Sequence, residues 1–322
     1  FELKFSKFCK SKHAISCGNG TDALTIALKS LNLPNNSEVI IPAMTYCSTA
    51  FSIINANLIP ILVDIDHLSP TISLDKIKKK INKNTKVIMP VHLYGSVVSI
   101  KNIKKIIKKK KIIIIDDCSQ AHGASNDNNS MVGSIADISC FSLYPGKNLG
   151  AYGDAGIITT NKKKYFKIIK KIRNLGSDKK FVHDRVGVNS RLDTIQALIL
   201  IRKLNELKKN NKKRIKIASL YSKLIVSKNI KKLTYSKNAI FHQYVIIVKN
   251  RLKLIKLFKQ NKIQYGFHYP KSINQLNVFK NKFKNQKFPN AEKIAKFGIS
   301  IPIDPNLSKG AVYKIVKLIN SV

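Results

Sequence analysis

Two short polar segments hold residue types suited to binding an anion and a cation. The run CGNGTD, from Cys17 to Asp22, combines glycines that let a backbone approach an anion with the start of a helix, whose first N–H groups are free. A Gly-rich turn capped by Thr21 or Asp22 is the simpler alternative. The run DDCSQAH at 116–122 follows four isoleucines, so its carboxylates stand at the tip of a buried strand and need a cation or a donor. A protonated heterocyclic nitrogen would be such a partner, and a carboxylate that caps the next turn is the alternative.

A third segment offers a nucleophilic amine. The run FSLYPGKNLG at 141–150 places Lys147 in a loop rich in Pro and Gly, in a stretch otherwise free of basic residues. A lysine whose pKa is lowered by its surroundings forms a Schiff base with an aldehyde cofactor, and Ser142 would then hold a phosphate of that cofactor. A solvated amine is the default for one lysine among 53, so this segment alone proves neither interpretation.

The fourth segment stands out because it uses arginine. The chain has only six arginines, and Arg173, Arg185 and Arg191 lie within nineteen positions of one another. The planar guanidinium binds carboxylate or phosphate through two parallel hydrogen bonds, which a lysine does not do. The alternative is an ion pair inside the protein, with Asp184 or Asp193, and it competes most strongly for Arg173.

The scaffold for these segments is predicted by the alternation of short apolar runs and amphipathic stretches. Such alternation indicates an α/β fold with a parallel sheet covered on both faces, whose ligands bind at the carboxyl ends of the strands. The candidate strands are His13–Cys17, Glu38–Ala43, Ile59–Ile65, Lys86–Leu93, Ile112–Asp117, Asp137–Leu143 and Gly156–Thr160. The candidate helices between them are Thr21–Leu31, Ser48–Asn57, Leu74–Ile81 and Ile100–Lys110.

The last third of the sequence changes character. A long helix is predicted at Arg191–Asn210, and after it come mixed strands and helices, including the strand Tyr244–Val248 and a terminal helix near Ala311–Ile319. We therefore place a domain boundary near residues 210–220.

Five segments together resemble one family. SCGNGTDAL, DDCSQAHGA, FSLYPGKNLGAYGDAG, VGVNSRLDTIQA and HYP (His268–Pro270) occur in the order and spacing of the DegT-type nucleotide-sugar aminotransferases, and the likeness runs from about Phe1 to the C-terminus. These are pyridoxal-phosphate enzymes of the aspartate-aminotransferase fold (fold type I). The resemblance implies a large cofactor-binding domain over residues 1–215, with a mostly parallel seven-stranded sheet, and a smaller C-terminal α+β domain over 216–322. Ala155 stands where the family usually has Gly, and we expect that an N-terminal segment of the family is missing before Phe1.

Carried over residue by residue, the resemblance implies two catalytic residues. Lys147 is similar to the lysine that bonds to the cofactor and later moves a proton, and Asp117 to the carboxylate that pairs with the pyridinium nitrogen. The other residues that the resemblance places at the cofactor are Gln120 near its phenolic oxygen, Tyr46 stacked on its ring, Gly20, Thr21 and Ser142 at its phosphate, and Asn189 reaching the phosphate from a neighbouring subunit. Arg191 and His268 resemble residues that contact the substrate. No metal site is expected.

The resemblance implies a two-stage reaction in a homodimer with shared active sites. L-Glutamate donates its amino group to pyridoxal phosphate, and the resulting pyridoxamine phosphate passes it to a keto group of a nucleoside-diphosphate sugar. The product would be a 3- or 4-amino sugar for a surface polysaccharide or glycan, and HYP and VGVNSRLDT favour carbon 3. Alternatives are a dehydratase, whose family members have His in place of Lys147, and an inactive homologue.

Composition leaves one alternative from a different class. The net charge of +42 is typical of proteins that bind nucleic acid, which would make this chain a basic regulatory or nucleic-acid-binding protein. However, 53 of the 59 basic residues are lysines, and they are spread over most predicted helices beside Ile and Asn. All three residue types have A/T-rich codons, so codon bias in an A/T-rich genome explains the high charge better than nucleic-acid binding does. We therefore expect no nucleic-acid partner. Five scattered cysteines suggest a reducing cytoplasm, and no apolar run approaches the roughly 20 residues that cross a membrane.

Overall fold

The large sheet is built from short, apolar, mostly β-branched segments. The computed structural model of the chain describes residues 1–108, 110–126 and 129–322. Seven strands form one sheet in the order β1-β7-β6-β5-β4-β2-β3, and only β7 runs antiparallel to its neighbours. The mostly parallel seven-stranded sheet predicted from the sequence is therefore confirmed. The strands are β1 His13–Cys17, β2 Glu38–Pro42, β3 Ile59–Val63, β4 Thr85–Ile88, β5 Ile113–Asp117, β6 Ile138–Ser142 and β7 Gly156–Thr160.

Helices cover both faces of this sheet. On β5, Ile115 packs in one hydrophobic cluster with Leu24, whereas the next residue back, Ile114, packs in another cluster with Ile77 and Ile103. Successive side chains of a strand point to opposite faces, so both faces are buried and the strands are apolar throughout. The helices are α1 Glu2–Cys9, α2 Gly20–Lys29, α3 Cys47–Ile54, α4 Leu74–Lys80, α5 Ile100–Ile106 and α6 Lys163–Arg173. The helix predicted at Ile100–Lys110 thus ends earlier, and its residue 109 lies outside the described residues.

The C-terminal part forms a second, smaller layer of α+β structure. A hairpin of β8 Ser177–Lys179 and β9 Val182–His183 precedes the long helix α7 Thr194–Leu224. A three-stranded antiparallel sheet, in the order β10-β11-β12, follows it. The remaining elements are β10 Ile230–Lys232, β11 Tyr244–Val248, α8 Arg251–Gln260, α9 Asn277–Lys280, α10 Pro289–Phe297, β12 Gly298–Ile301 and α11 Lys309–Asn320, with 3₁₀ turns at Leu93–Gly95 and Ile273–Gln275.

One helix joins the two layers. The first half of α7 buries Leu200 and Leu204 in a cluster with Phe141 of the large sheet, and its second half buries Ile217 and Tyr221 beside the small sheet. Residues 215 and 216, between which the sequence places the domain boundary, therefore lie inside a continuous helix, and the division of the chain there stays a prediction. No helix among the described residues is both long and apolar enough to cross a membrane.

Candidate active site

One cavity brings most of the predicted residues together. It has a volume of about 750 Å³ and lies at the carboxyl ends of β5 and β6, beside the first turn of α2. Ligands of parallel α/β sheets bind at this edge. The predicted residues that line the cavity are Gly20, Thr21, Tyr46, Asp117, Gln120, Ser142, Lys147 and His268. The predicted residues Asn189 and Arg191 do not line it.

The N-terminus of α2 gives one end of the cavity the features of an anion site. Asn19 caps the helix, because its side chain accepts a hydrogen bond of 2.8 Å from the backbone N–H of Asp22. The N–H groups of Gly20 and Thr21, in the first turn, have no partner within the helix and carry its positive dipole. A side chain at Gly20 would not fit, since its Cβ would lie 2.5 Å from the Cβ of Ser142. Helix α2 and β6 thus approach closely enough to form a cradle for a phosphate.

A buried carboxylate stands at the end of β5. Asp117 is 5% exposed, its Oδ2 accepts a hydrogen bond of 2.9 Å from the hydroxyl of Thr49, and its Oδ1 accepts one of 3.1 Å from the backbone N–H of Ser119. Thr45 in turn donates to Thr49, because the Thr49 hydrogen points to the carboxylate. Hydrogen bonds to the ionised form stabilise it, so Asp117 can face a positively charged ring nitrogen.

The amine of Lys147 lies in the loop after β6. Its backbone N–H donates to the carbonyl of Tyr144 at 2.9 Å, which closes a tight turn. Burial lowers the pKa of the Lys147 ammonium from its ordinary value, and the charge of Asp117 opposes this shift without cancelling it. A lowered pKa increases the fraction of free amine at neutral pH, which is the nucleophilic form.

The opposite wall is aromatic and its hydrogen bonds connect both layers of the protein. The rings of Tyr46 and Tyr269 lie 5.4 Å apart. Gln120 accepts a hydrogen bond of 2.6 Å from the backbone N–H of Tyr94 and donates one of 2.9 Å to the Tyr269 hydroxyl, so the orientation of its amide is fixed. Tyr94 donates its hydroxyl hydrogen to the carbonyl of His268, which holds the HYP segment at the cavity.

The histidines near Lys147 are held neutral. Burial, and next the charge of Lys147, lower the pKa of His122 to about 3. The Nε2 of His122 lies 2.9 Å from the carbonyl oxygen of Ser142, so it carries the proton. The pKa of His268 is lowered by the same two causes in the same order. These rings add no positive charge to the surroundings of Lys147.

A buried group beneath the cavity has metal-ligating residue types. Atoms of His92, Asp116 and Cys118 lie within 4.8 Å of one another, and Asp116 Oδ1 has no hydrogen-bond partner among the described residues. However, the Nδ1 of His92 accepts a hydrogen bond of 3.0 Å from the backbone N–H of Val98, so the proton is on Nε2, where it points to Asp116 at 3.2 Å. A metal would need the lone pair of that same Nε2, so the hydrogen bonding does not fit a metal site.

The arginines of the fourth predicted segment lie in two different environments. Arg173 forms an internal ion pair, as the alternative interpretation held, but its partner is Glu2 at 2.6 Å and not Asp184 or Asp193. Asn189 and Arg191 are exposed, and the Nε of Arg191 donates to the side-chain oxygen of Asn189 at 2.9 Å.

Ser190, which lies between Asn189 and Arg191, contacts the first turn of α2 at the end of the cavity. The hydroxyl of Ser190 donates to Oδ2 of Asp22 at 2.6 Å, and Asp22 lines the cavity. The segment of Asn189 and Arg191 therefore stands at the edge of the site with its side chains outside.

Four site residues were not singled out from the sequence. Thr49 lies one helical turn after the predicted Tyr46, and Tyr269 lies inside HYP, so both stand beside residues that the sequence did single out. Tyr94 and His242 belong to no quoted motif, and only the fold brings His242 to the cavity and Tyr94 to Gln120 in the cavity wall.

This chain is similar to known aminotransferases over nearly its whole length. The family model of the DegT/DnrJ/EryC1/StrS aminotransferase family matches residues 1–320. A dTDP-3-amino-3,6-dideoxy-alpha-D-galactopyranose transaminase of Aneurinibacillus thermoaerophilus is 38% identical over 322 residues, which cover 99% of this chain and 88% of the relative. A pleiotropic regulatory protein of Geobacillus stearothermophilus is 35% identical over 324 residues, 99% of this chain and 87% of the relative. The solved structure of S. venezuelae DesV in complex with a ketimine intermediate has a TM-score of 0.96 and 28% identity, and the match covers 99% of this chain and 87% of that chain.

Proposed function

We propose a specific reaction for this chain, which belongs to the DegT/DnrJ/EryC1/StrS aminotransferase family: it moves an amino group from L-glutamate to the keto group of a nucleoside-diphosphate sugar. The observation that carries the proposal is that one cavity combines three features. These are the lysine Lys147 with a lowered pKa, the buried carboxylate of Asp117 and the free N–H groups at the start of α2.

The family depends on pyridoxal phosphate, and the residues of this cavity fit that cofactor. When bound, pyridoxal phosphate supplies an electron sink for the negative charge that develops at the α-carbon of an amino acid. The phosphate would lie in the cradle of Gly20, Thr21 and Ser142, whose close approach leaves no room for a side chain at position 20. Asp117 would pair with the ring nitrogen, and Lys147 would bond to the cofactor aldehyde.

Each residue around the bound cofactor would have a separate role. Lys147 is the only lysine that lines the described cavity, so its Nζ would be the base that takes up a proton from the amino donor and releases it again. Asp117 would pair with a protonated ring nitrogen, because Thr49 and Ser119 hold its carboxylate in place with hydrogen bonds. Tyr46 would stack on the ring, and Gln120 holds the hydroxyl of Tyr269 in the aromatic wall of the cavity.

The proposed acceptor is a nucleotide-linked sugar ketone, with amination at carbon 3 favoured. The name of the Aneurinibacillus relative, a dTDP-3-amino sugar transaminase, supports both points. A cavity of about 750 Å³ with His268 and Tyr269 in its wall is large enough for a sugar beside the cofactor. L-Glutamate as donor rests on the family resemblance alone. A reducing cytoplasm is the proposed compartment, supported by five cysteines that are all free thiols.

A homodimer with shared active sites is part of the proposal. Asn189 and Arg191 lie outside the cavity of their own chain, in a segment attached to its edge through Ser190. Large apolar side chains are exposed on the neighbouring hairpin, on the segments that flank it and on the start of α7, and such patches are typical of interfaces. These are Leu175, Phe181, Val182, Val186, Ile195 and Leu198.

An absorbance spectrum tests the proposed function. With pyridoxal phosphate bound, the protein should show a visible band from the lysine-bound cofactor, and L-glutamate should bleach it by converting the cofactor to its amine form. Lys147→Ala should lack the band, whereas Lys203→Ala, at a partly buried lysine outside the cavity, should keep it. Addition of a nucleoside-diphosphate 3-keto sugar should restore the band after bleaching. A protein that binds no cofactor would refute the proposal.

A further inference from the structure

A chain of side-chain hydrogen bonds runs behind Lys147 and ends at the cavity. Asn211, in α7, donates from Nδ2 to the carbonyl oxygen of His122 at 2.8 Å. Asn148 donates from Nδ2 to Oδ1 of Asn211 at 2.9 Å, and Oδ1 of Asn148 lies 3.0 Å from Nδ1 of His242. The chain therefore connects α7, the loop after β5, the loop of Lys147 and the segment before β11.

The first bond fixes the direction of the other two. A backbone carbonyl only accepts hydrogen bonds, so Asn211 must turn its NH₂ group to His122 and its oxygen to Asn148. Asn148 must then turn its NH₂ group to Asn211 and its oxygen to His242. The Nδ1 of His242 consequently carries a hydrogen. The Nε2 of a neutral His242 is left as a lone pair.

The surroundings of His242 keep its ring uncharged. His242 is 7% exposed and lines the cavity together with Lys147. Burial lowers its pKa well below the ordinary value, and the nearby groups Lys147, Arg214, His122 and His268 lower it further. Its Nε2 has no partner within residues 1–108, 110–126 and 129–322. This Nε2 is not among the fully enclosed unpaired atoms of the described residues, so its lone pair is open to a group in the cavity that His242 lines.

We propose that His242 is a positioning residue for Lys147: its Nε2 accepts a hydrogen bond from the ε-amine of Lys147 when that amine is free, and so directs the lone pair of the amine to the reacting carbon. The inference rests on the proposed function, because that function gives Lys147 its task. Proton transfer depends strongly on geometry, and a lysine side chain with many rotamers benefits from one fixed acceptor. A His242 protonated on Nε2 would offer no lone pair, which explains why two asparagines hold its tautomer.

The tautomer is tested first, in protein without cofactor. Nitrogen-15 chemical shifts of the imidazole rings distinguish the two neutral tautomers and the charged ring, and His242→Asn assigns the signal by removing it. We expect His242 to be neutral at about pH 7, with the hydrogen on Nδ1. An Nε2-protonated or a charged ring would overturn the inference. This readout is independent of the proposed function, because it requires neither cofactor nor substrate.

The positioning role is tested with a matched pair of variants in the cofactor-loaded enzyme. His242→Asn keeps a donor for Asn148 but has no atom at the place of Nε2, whereas His242→Gln is long enough to present an acceptor there. In rapid mixing with L-glutamate, His242→Asn should slow the bleaching step about 10-fold or more with little change in KM, and His242→Gln should recover part of the rate. The acidic limb of the pH profile should also move in His242→Asn, which a purely structural role would not cause.

Two outcomes distinguish a failure of the positioning role of His242 from a failure of the proposed aminotransferase function. If wild-type protein bleaches with glutamate and His242→Asn does so at the same rate with the same pH profile, the positioning role is wrong and the aminotransferase function stands. If the wild type itself forms no visible band, the proposed function fails, and the role of His242 toward Lys147 falls with it even where the tautomer is as expected.

Discussion

At the scale of single residues, the support of Asp117 by Thr49 gives a sharp prediction. The Thr49 hydroxyl donates to Oδ2 of Asp117 at 2.9 Å, in a buried setting. Removing a hydrogen bond to a charged group costs about 1.5–3 kcal/mol, and here the cost falls on the ionised carboxylate that would hold the cofactor. Thr49→Val should therefore raise the dissociation constant for pyridoxal phosphate about 10- to 100-fold, measured by absorbance titration.

A threonine outside the cavity provides the control for this prediction. Thr234 is exposed and its side chain makes no hydrogen bond that the structure describes. Thr234→Val should leave the dissociation constant unchanged. Equal affinities for Thr49→Val and wild type would show that Asp117 needs no support from the hydroxyl.

The buried neutral histidines make stability depend on pH. The pKa of His122 is about 3 in the folded protein, so between the ordinary histidine pKa and that value the unfolded chain binds a proton that the folded chain does not. The contribution of His122 is complete above about pH 6.5 and is lost as the pH falls, at up to about 1.4 kcal/mol per pH unit. Lowered pKa values at His242 and His268 act in the same direction.

Denaturant unfolding at about pH 7.5 and about pH 5.5 measures this effect, and the free energy of unfolding should be lower at the acidic pH. His122→Gln keeps a donor for the Ser142 carbonyl and cannot titrate, so it should reduce the pH dependence. His67 is exposed, and His67→Gln should retain the full dependence. If the free energy of unfolding depended on pH equally in His122→Gln and His67→Gln, the pH dependence could not be assigned to His122.

Sequence motifs reached some site residues and not others, for a physical reason. Lys147 and Asp117 stand in segments whose composition is unusual on its own: Lys147 lies in a loop with Pro and Gly around it, and Asp117 ends a strand of buried isoleucines. His242 and Tyr94 stand in ordinary sequence, and His242 reaches the cavity because the loop before β11 is hydrogen-bonded to Tyr94 and Gly95 in the turn at Leu93–Gly95. Contacts between segments that are far apart in the sequence produce no local sequence motif from which they could be predicted.

At the scale of elements, local pattern predicted strands better than helix ends. The strands His13–Cys17, Gly156–Thr160 and Tyr244–Val248 agree with the structure residue for residue, because each is a short apolar run with clear limits. The long helix predicted to end at Asn210 continues to Leu224. Its polar middle segment has no apolar periodicity, and the buried bonds of Asn211 to His122 and Asn148 hold it in the helix.

A buried carboxylate ties helix α10 to the large sheet and gives a prediction at this scale. Asp64 follows β3 and is 4% exposed. Its oxygens accept hydrogen bonds from the first-turn N–H groups of Asn290 at 3.2 Å and Ala291 at 2.9 Å, so it caps a helix more than 220 residues away in sequence. Loss of a helix cap and of buried charged hydrogen bonds costs about 2–3 kcal/mol, and Asp64→Ala should lower the free energy of unfolding by that amount.

The neighbouring aspartate is a natural control for this measurement. Asp66 is exposed and its side chain forms no hydrogen bond within the described part of the chain. Asp66→Ala should change the free energy of unfolding by less than about 0.5 kcal/mol. If both variants are equally stable, the link between Asp64 and α10 contributes nothing to the fold.

At the scale of the whole molecule, the charge of +42 does not decide the function. The lysines are spread over most helices, and the cavity itself contains one lysine, Lys147, among its described lining residues. A positive field of this size attracts any polyanion, which includes a nucleoside diphosphate as well as a nucleic acid. The proposed chemistry therefore rests on the residues of the cavity, because the net charge alone does not distinguish between these two classes of partner.

The shared active site is the last prediction, and it concerns two copies of the chain at once. If Asn189 reaches the phosphate in the partner's cavity, Asn189→Asp repels the phosphate there, and Lys147→Ala disables its own cavity. Each variant alone should be nearly inactive. In a mixed dimer the cavity with an intact Lys147 receives Asn189 from the Lys147→Ala chain and is complete, so random exchange of subunits should restore about a quarter of the wild-type activity. No recovery after proven exchange would show that Asn189 serves its own cavity or none. Recovery near a quarter would establish both the dimer and the direction in which its subunits share the site, because no arrangement within single chains repairs either variant.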